Sequence, residues 1–314
     1  MVDQAPLLAT DAAPIPARAA AEWFVGARGA RLRSAWFAPA GPPRGSVVVS
    51  PGRTEPIEKY FEVVERLTGR GFVVLVHDWR GQGLSLRPSG DQRGHAVGYR
   101  DFITDYGALL DHYETRLPGP WIALGHSMGG CLTLLALALG EARFAAAILS
   151  APMLGLQTGA IPRPAGLLLA RILTVIGLGG NLVSREAAAP ESFATNVLTH
   201  DPIRYQRNQD QVAAHPELFV GPPTWGWLDF AFRAIGVLEN GPGAPRINLP
   251  LTVLAAGDDR LVDNPGLAQV TARVSGARFM IVSGAYHEIL QETDATQGEF
   301  WSEFDALAVR AGAL

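Results

Sequence analysis

The sequence has 314 residues, of which 48% are hydrophobic and 18% charged, with a formal net charge of -4. This balance supports a large buried core, excludes a disordered chain, and lacks the basic excess of a nucleic-acid binder. A single cysteine, Cys131, excludes an intramolecular disulfide, so the fold needs no oxidising compartment.

Residues 1–20 are rich in Ala and Pro, lack the apolar run of a secretory signal, and predict a flexible arm. Residues 46–50 (SVVVS) predict a buried strand. Residues 57–67 predict a helix, with Ile57, Tyr60, Phe61, Val64 and Leu67 at helical spacing. A second strand is expected at 72–76, a helix at 99–117, a strand at 121–124, an almost wholly apolar helix at 128–139 and a strand at 145–149. Strands at 251–254 and 279–282 and a helix at 297–309 complete the pattern. Apolar strands without alternation, separated by helices, imply a mostly parallel sheet with helices on both faces.

Residues 152–244 break that rhythm. They hold an apolar helix and the pair Trp225 and Trp227 but no β-rich run, which predicts a helical cap inserted after the sixth strand. The core is then 21–151 and 245–314. The most apolar stretch, 165–183, is interrupted by Arg171 and falls short of the roughly 20 apolar residues of a membrane span. The expected location is cytoplasmic, with the inner membrane surface as a peripheral site.

Gly125-His126-Ser127-Met128-Gly129 fits G-x-S-x-G. In a chain with 35 glycines the pattern alone is weak. Its setting strengthens it, because a predicted strand runs into it and a predicted helix leaves it. Such a turn strains the serine and exposes its hydroxyl at a helix N-terminus, where the dipole favours developing negative charge. A serine hydroxyl also needs a base. In the chain order Ser, acid, His, the base follows the last strand, and of seven histidines only His287 does so. His77 reads as structural, His126 as orienting the turn, His112 as lying on a polar helix face, and His95, His200 and His215 as solvated. The acid should follow the strand at 251–254, where Asp258, Asp259 and Asp263 stand. Asp263 precedes Asn264-Pro265 and reads as a helix cap. Spacing leaves Asp258 and Asp259 as equal candidates.

These motifs, with Asp78-Trp79-Arg80-Gly81-Gln82-Gly83, Gly257-Asp258-Asp259-Arg260-Leu261 and Ala285-Tyr286-His287, resemble the monoacylglycerol lipase and lysophospholipase branch of α/β hydrolases. Ser50-Pro51-Gly52-Arg53 and Asn196-Val197-Leu198-Thr199-His200-Asp201 resemble the bacterial inner-membrane lysophospholipase-like proteins most. The resemblance implies the α/β-hydrolase fold, no cofactor and no metal. It implies Asp259 as the acid, because the family pattern sets it directly before the Arg-Leu pair. It also implies an oxyanion hole built from the backbone N–H groups of Met128 and Arg53. Monoglyceride lipases begin that loop with His-Gly, whereas this chain has Pro51-Gly52, which favours the lysophospholipase side. Asp78 and Arg80 are read as an ion pair shaping their loop.

Leu169 and Leu173 in the apolar cap helix, with Trp225 and Trp227, are candidates to line an acyl pocket, where each buried CH₂ contributes about 0.8 kcal/mol. The expected function is cleavage of carboxylic esters of lipid-like substrates through a Ser127-His287-Asp259 acyl-enzyme mechanism. The expected partner is a small-molecule or lipid ester, and no nucleic acid. Contact of the cap with a membrane and the oligomeric state stay open. The competing readings are a carboxylesterase for small soluble esters, a capped aminopeptidase-like hydrolase, and a non-catalytic ligand-binding protein on the same scaffold.

Overall fold

Strands buried on both faces need helices above and below them, and the chain supplies both layers. The computed structural model describes residues 3–159, 161–184 and 192–313. Its strands are β1 (Ala19–Val25), β2 (Arg31–Phe37), β3 (Ser46–Ser50), β4 (Val73–His77), β5 (Trp121–His126), β6 (Phe144–Ser150), β7 (Leu251–Ala256) and β8 (Arg278–Val282). They form one sheet in the order β1-β2-β4-β3-β5-β6-β7-β8. β1 and β2 run antiparallel to their neighbours, and every later pairing is parallel.

The helices are α1 (Phe61–Gly69), α2 (Arg100–Tyr113), α3 (Ser127–Ala138), α4 (Arg163–Val175), α5 (Pro202–Ala214), α6 (Trp225–Asn240), α7 (Asn264–Thr271) and α8 (Asp294–Arg310). Successive strand residues point to opposite faces. Val48, Leu75, Ala123 and Val253 join Leu109 of α2, Leu132 of α3, Phe230 of α6 and Leu267 of α7 in one core. Val47, Val49, Val74, Val76, Ile122 and Leu124 join Phe61 and Val64 of α1 and Phe300 and Phe304 of α8 in the other. This is the expected doubly covered, mostly parallel sheet.

Two expectations need correction. The segment expected as a flexible arm lies against the core: Trp23 N donates to Asp3 O at 2.8 Å, Leu8 N donates to Glu58 Oε1 at 3.2 Å, and Ala13 is buried. Backbone groups that find acceptors hold even an Ala/Pro-rich segment in place. Helices α4, α5 and α6 do lie between β6 and β7, but α6 is not a free-standing cap element. Its Phe230, Ala231, Ala234, Ile235 and Leu238 are buried in the core shared with α2 and α3, and Phe230 stacks on Phe102 at 4.7 Å.

Among the described residues no helix is long and apolar enough to cross a membrane. α4 and the residue that caps it nevertheless leave Leu168, Val175 and Ile176 58%, 66% and 61% exposed.

Candidate active site

β5 passes into α3 between His126 and Ser127, and Ser127 takes the left-handed conformation at φ 49°. Its flanks explain why. A β-carbon on Gly125 would stand 2.7 Å from Gly130 Cα, and one on Gly129 would stand 2.0 Å from the Ser50 carbonyl oxygen. No side chain fits at either position, so the turn closes tightly and the strain falls on the serine.

His287 follows β8 on a loop. Its Nε2 is 2.9 Å from Ser127 Oγ, and its Nδ1 is 2.7 Å from Asp259 Oδ2. Asp259 Oδ1 accepts from the N–H groups of Leu261 at 2.8 Å and Val262 at 3.0 Å. The Asp259 side chain is fully buried. Burial pushes its carboxyl up, but the hydrogen bond and charge of His287 and the two N–H groups outweigh it and hold the group below the ordinary aspartate value. Asp258 is exposed, and its backbone N–H donates to Ala285 O at 2.9 Å. Asp263 caps α7, accepting from Gly266 N at 3.1 Å. The structure thus brings Ser127, His287 and Asp259 together and keeps the other two aspartates out.

The loop after β3 approaches the same serine. Gly52 N donates to Glu55 Oε2 at 2.5 Å, Thr54 N donates to Gln82 Oε1 at 2.7 Å, and Trp79 Nε1 donates to Pro51 O at 2.8 Å. Thr54 sits at φ 64°. The flanking N–H groups are committed, while that of Arg53 has no acceptor among the described residues. Met128 lies in the first turn of α3, where N–H groups have no intrahelical acceptor.

Behind this loop lies a buried charge cluster that sequence reasoning missed. Lys59 Nζ is 3.0 Å from Glu55 Oε1 and 2.5 Å from Glu288 Oε1. Tyr60 OH donates to Glu55 Oε2 at 2.7 Å, and His126 Nε2 is 3.6 Å from Glu55 Oε1. Burial alone would raise the Glu55 carboxyl, but Lys59, His126 and Tyr60 bring it down to about 2. Burial pushes His126 down to about 4, so it is neutral at pH 7. Its Nδ1 is 3.0 Å from Ser150 O, in keeping with a role in holding the turn. The Glu55–Lys59 spacing of four residues was a legible signal; the third member, Glu288, was not.

These groups open on a cavity of about 510 Å³, whose wall includes Ser127, His287, Met128, Leu169, Trp225 and Trp227. Leu173 is not part of that wall. It stands one helical turn beyond Leu169 on α4 and has left the cavity's reach.

The expected Asp78–Arg80 ion pair does not form. Asp78 pairs with Arg33 Nε at 2.7 Å and accepts from Ile57 N and Leu84 N, while Arg80 pairs with Asp105 at 2.5 Å. Both residues still shape their loop, but each uses a more distant partner. The histidines expected to be solvated also have partners. His95 Nδ1 is 2.8 Å from Thr224 Oγ1, His200 Nδ1 is 2.8 Å from Glu292 Oε1, and His215 Nε2 is 3.1 Å from Ala9 O. His77 is buried, as its structural reading requires.

The sheet order, the strained serine at a strand-to-helix turn and the hydrogen-bonded Ser-His-Asp chain define the α/β-hydrolase class. Within it, the chain belongs to the serine aminopeptidase S33 family, whose family model matches residues 41–294. It is 35% identical to Lysophospholipase L2 of Escherichia coli (strain K12) over 272 residues, covering 79% of this chain and 76% of that protein. It is 27% identical to Monoacylglycerol lipase of Mycolicibacterium smegmatis, covering 86% of this chain and 91% of that one. Among solved structures, the monoacylglycerol lipase of Paleococcus ferrophilus matches with a TM-score of 0.71 at 21% identity, covering 89% of this chain and 99% of that one. At that identity the likeness carries the fold. These relatives agree with the branch that the motifs resemble.

Proposed function

We propose that this chain is a serine hydrolase that cleaves carboxylic esters of lipid-like substrates. The observation that carries the reading is the chain of two hydrogen bonds from Ser127 through His287 to Asp259, at 2.9 and 2.7 Å, opening on an apolar cavity. In the first step Ser127 Oγ attacks the ester carbonyl carbon as His287 Nε2 takes its proton. The N–H groups of Met128 and Arg53 hold the oxyanion, each worth about 2.7–4 kcal/mol where such donors have been removed. The imidazolium, steadied by Asp259, then protonates the leaving alcohol. Water attacks the acyl-enzyme with His287 again as base, and the acid is released.

Leu169, Trp225 and Trp227 line the acyl side, and the names of the relatives support a lipid-like acyl group. The exposed apolar face of α4 and its capping residue, at Leu168, Val175 and Ile176, supports peripheral contact with the lipid aggregate in which such esters reside. Sedimentation with phosphatidylglycerol vesicles tests that contact: Leu168→Ser/Val175→Ser should bind less than the parent chain, and equal binding refutes it.

The family's description favours a second reading, an aminopeptidase. That activity needs an acidic group free to hold a substrate ammonium. The two carboxylates in the cavity wall among the described residues, Glu55 and Glu288, are engaged by Lys59. The ester reading is therefore preferred. Labelling with a fluorophosphonate, followed by assays on matched lysophospholipid, monoacylglycerol, short p-nitrophenyl ester and aminoacyl p-nitroanilide substrates, tests it. Labelling should vanish in Ser127→Ala, and turnover should be highest on the long-chain esters. Labelling that survives in Ser127→Ala, or turnover confined to anilides or short esters, overturns the reading.

A further inference from the structure

The motif Asn196-Val197-Leu198-Thr199-His200-Asp201 takes no part in the chemistry described above, yet it is densely hydrogen-bonded. Asn196 Oδ1 accepts from the N–H groups of Leu198 at 2.9 Å and Thr199 at 3.0 Å, which folds the segment into a tight turn. Asp201 caps α5, accepting from the N–H groups of Ile203 and Arg204. Between these two anchors the segment faces the loop that carries His287. Leu198 O accepts from Glu288 N at 2.9 Å, and Thr199 Oγ1 donates to Gln291 O at 2.7 Å.

The strongest tie runs through Glu292, whose side chain is fully buried. Its Oε1 accepts from Tyr286 N at 2.8 Å and lies 2.8 Å from His200 Nδ1. A carboxylate only accepts, so Nδ1 is the donor. Its Oε2 accepts from His200 N at 3.1 Å and Thr293 N at 3.4 Å. The His200 ring also stacks on Tyr286, with centroids 3.8 Å apart. The residue before His287 and the residue after it are therefore both tied to the segment that enters α5, Tyr286 through Glu292 and Glu288 through Leu198. The His287 imidazole must meet Ser127 at 2.9 Å and Asp259 at 2.7 Å at once, and the backbone beneath it decides whether both reach. His200 itself is not part of the cavity wall, so it stands clear of the substrate.

We propose that His200 is a positioning residue for the catalytic base, acting through Glu292 to hold the His287 loop in the orientation that proton transfer needs. This rests on the ester-hydrolase reading above. During acylation His287 takes the Ser127 proton and then hands a proton to the leaving oxygen. A loosened loop should cost most where the leaving group depends most on that second transfer. A p-nitrophenoxide departs without a proton, whereas a glycerol oxygen needs one.

The test measures kcat/KM on p-nitrophenyl laurate and on 1-monolaurin, which share an acyl group, for the wild type, His200→Phe and His200→Asn. Each protein is normalised to its active sites, titrated to completion with a fluorophosphonate. His200→Phe keeps a ring against Tyr286 but removes the donor to Glu292, and His200→Asn offers an amide N–H in place of Nδ1. In His200→Phe the loss on monolaurin should exceed the loss on p-nitrophenyl laurate by about tenfold, a fraction of the roughly 10²–10⁴-fold that such proton transfer contributes. His200→Asn should recover most of that excess. A role confined to stability lowers both rates alike, so equal losses on the two esters, no loss, or an asparagine variant no better than the phenylalanine one would overturn the proposal. His200→Ala should show the same selective loss, which keeps the test intact if His200→Phe folds poorly. A wild-type enzyme inactive on both esters would instead sink the underlying ester reading.

Discussion

Lys59→Met isolates the charge cluster behind the active-site loop. Lys59 Nζ sits 3.0 Å from Glu55 and 2.5 Å from Glu288, with all three side chains buried. Glu55 would keep the Gly52 N–H at 2.5 Å and the Tyr60 OH at 2.7 Å. Glu288 would lose its side-chain hydrogen-bond donor and its counter-charge together. Removing one member of a buried ion pair costs about 3–5 kcal/mol. The lower end applies, because Glu288 can escape by taking a proton, and burial already pushes its carboxyl up. At about 2 °C per kcal/mol for a chain of this size, the melting temperature should fall by about 6 °C. The sign with pH follows. A carboxyl whose folded-state pKa is raised contributes fully below its ordinary value and loses that contribution as pH rises through the raised one. The deficit of Lys59→Met should therefore be larger at pH 8 than at pH 5. The double variant Lys59→Met/Glu288→Gln removes the stranded charge and should regain most of the loss. Melting followed by circular dichroism at both pH values reads all of this. A Lys59→Met melting point within about 2 °C of wild type, or a double variant no better than the single, would refute the reasoning.

Asp259→Asn should lower kcat on the order of 10⁴-fold on a p-nitrophenyl ester, by presenting the wrong tautomer of His287 to Ser127, whereas exposed Asp258→Asn should leave it unchanged; a reversed pattern would reassign the acid. Gly129→Ala should drive a β-carbon to 2.0 Å from the Ser50 carbonyl and 2.3 Å from that of Pro51, displacing the Arg53 loop and cutting kcat. About a hundredfold loss is expected if one oxyanion donor is misplaced. Gly107→Ala in α2, whose β-carbon meets nothing within 4 Å, should instead stabilise the protein by up to about 1 kcal/mol in urea denaturation. Burial raises Glu62, but Arg204 and Arg207 of α5 outweigh it and bring the carboxyl down to about 2. A depressed carboxyl stabilises above its ordinary value, and that contribution fades as pH falls from there toward 2. Discounted for its partial exposure, it amounts to about 1 kcal/mol, so Glu62→Gln should lose less stability than wild type between pH 6 and pH 3.

Much of the site was legible because its signals are local. The strand-turn-helix setting of Ser127 lies within a few residues, and the order of elements leaves His287 as the histidine after the last strand. Asp259 needed more. Spacing did not separate it from Asp258; the resemblance pointed to it, and the His287 hydrogen bond distinguishes the two in space. β1 and β2 went unread because their Ala, Glu, Arg and Ser residues, several of them buried, carry neither a continuous apolar run nor a clean alternation. Arg33 on β2 lies 45 residues from Asp78 and 25 from Glu58. An arginine between Leu32 and Ser34 reads as solvated until its counter-charges are placed around it.

Composition and periodicity by themselves determined the doubly covered parallel sheet and the serine at its sharp turn, because burial on two faces and a steric ban on side chains each leave a mark within a short window. Only tertiary structure decided which charges are compensated. Lys59 meets Glu288 across 229 residues of chain, and Arg53 meets no carboxylate at all among the described residues. The reason is physical: the energy of a buried charge depends on distances and on the exclusion of water, which arise from packing segments far apart in the chain.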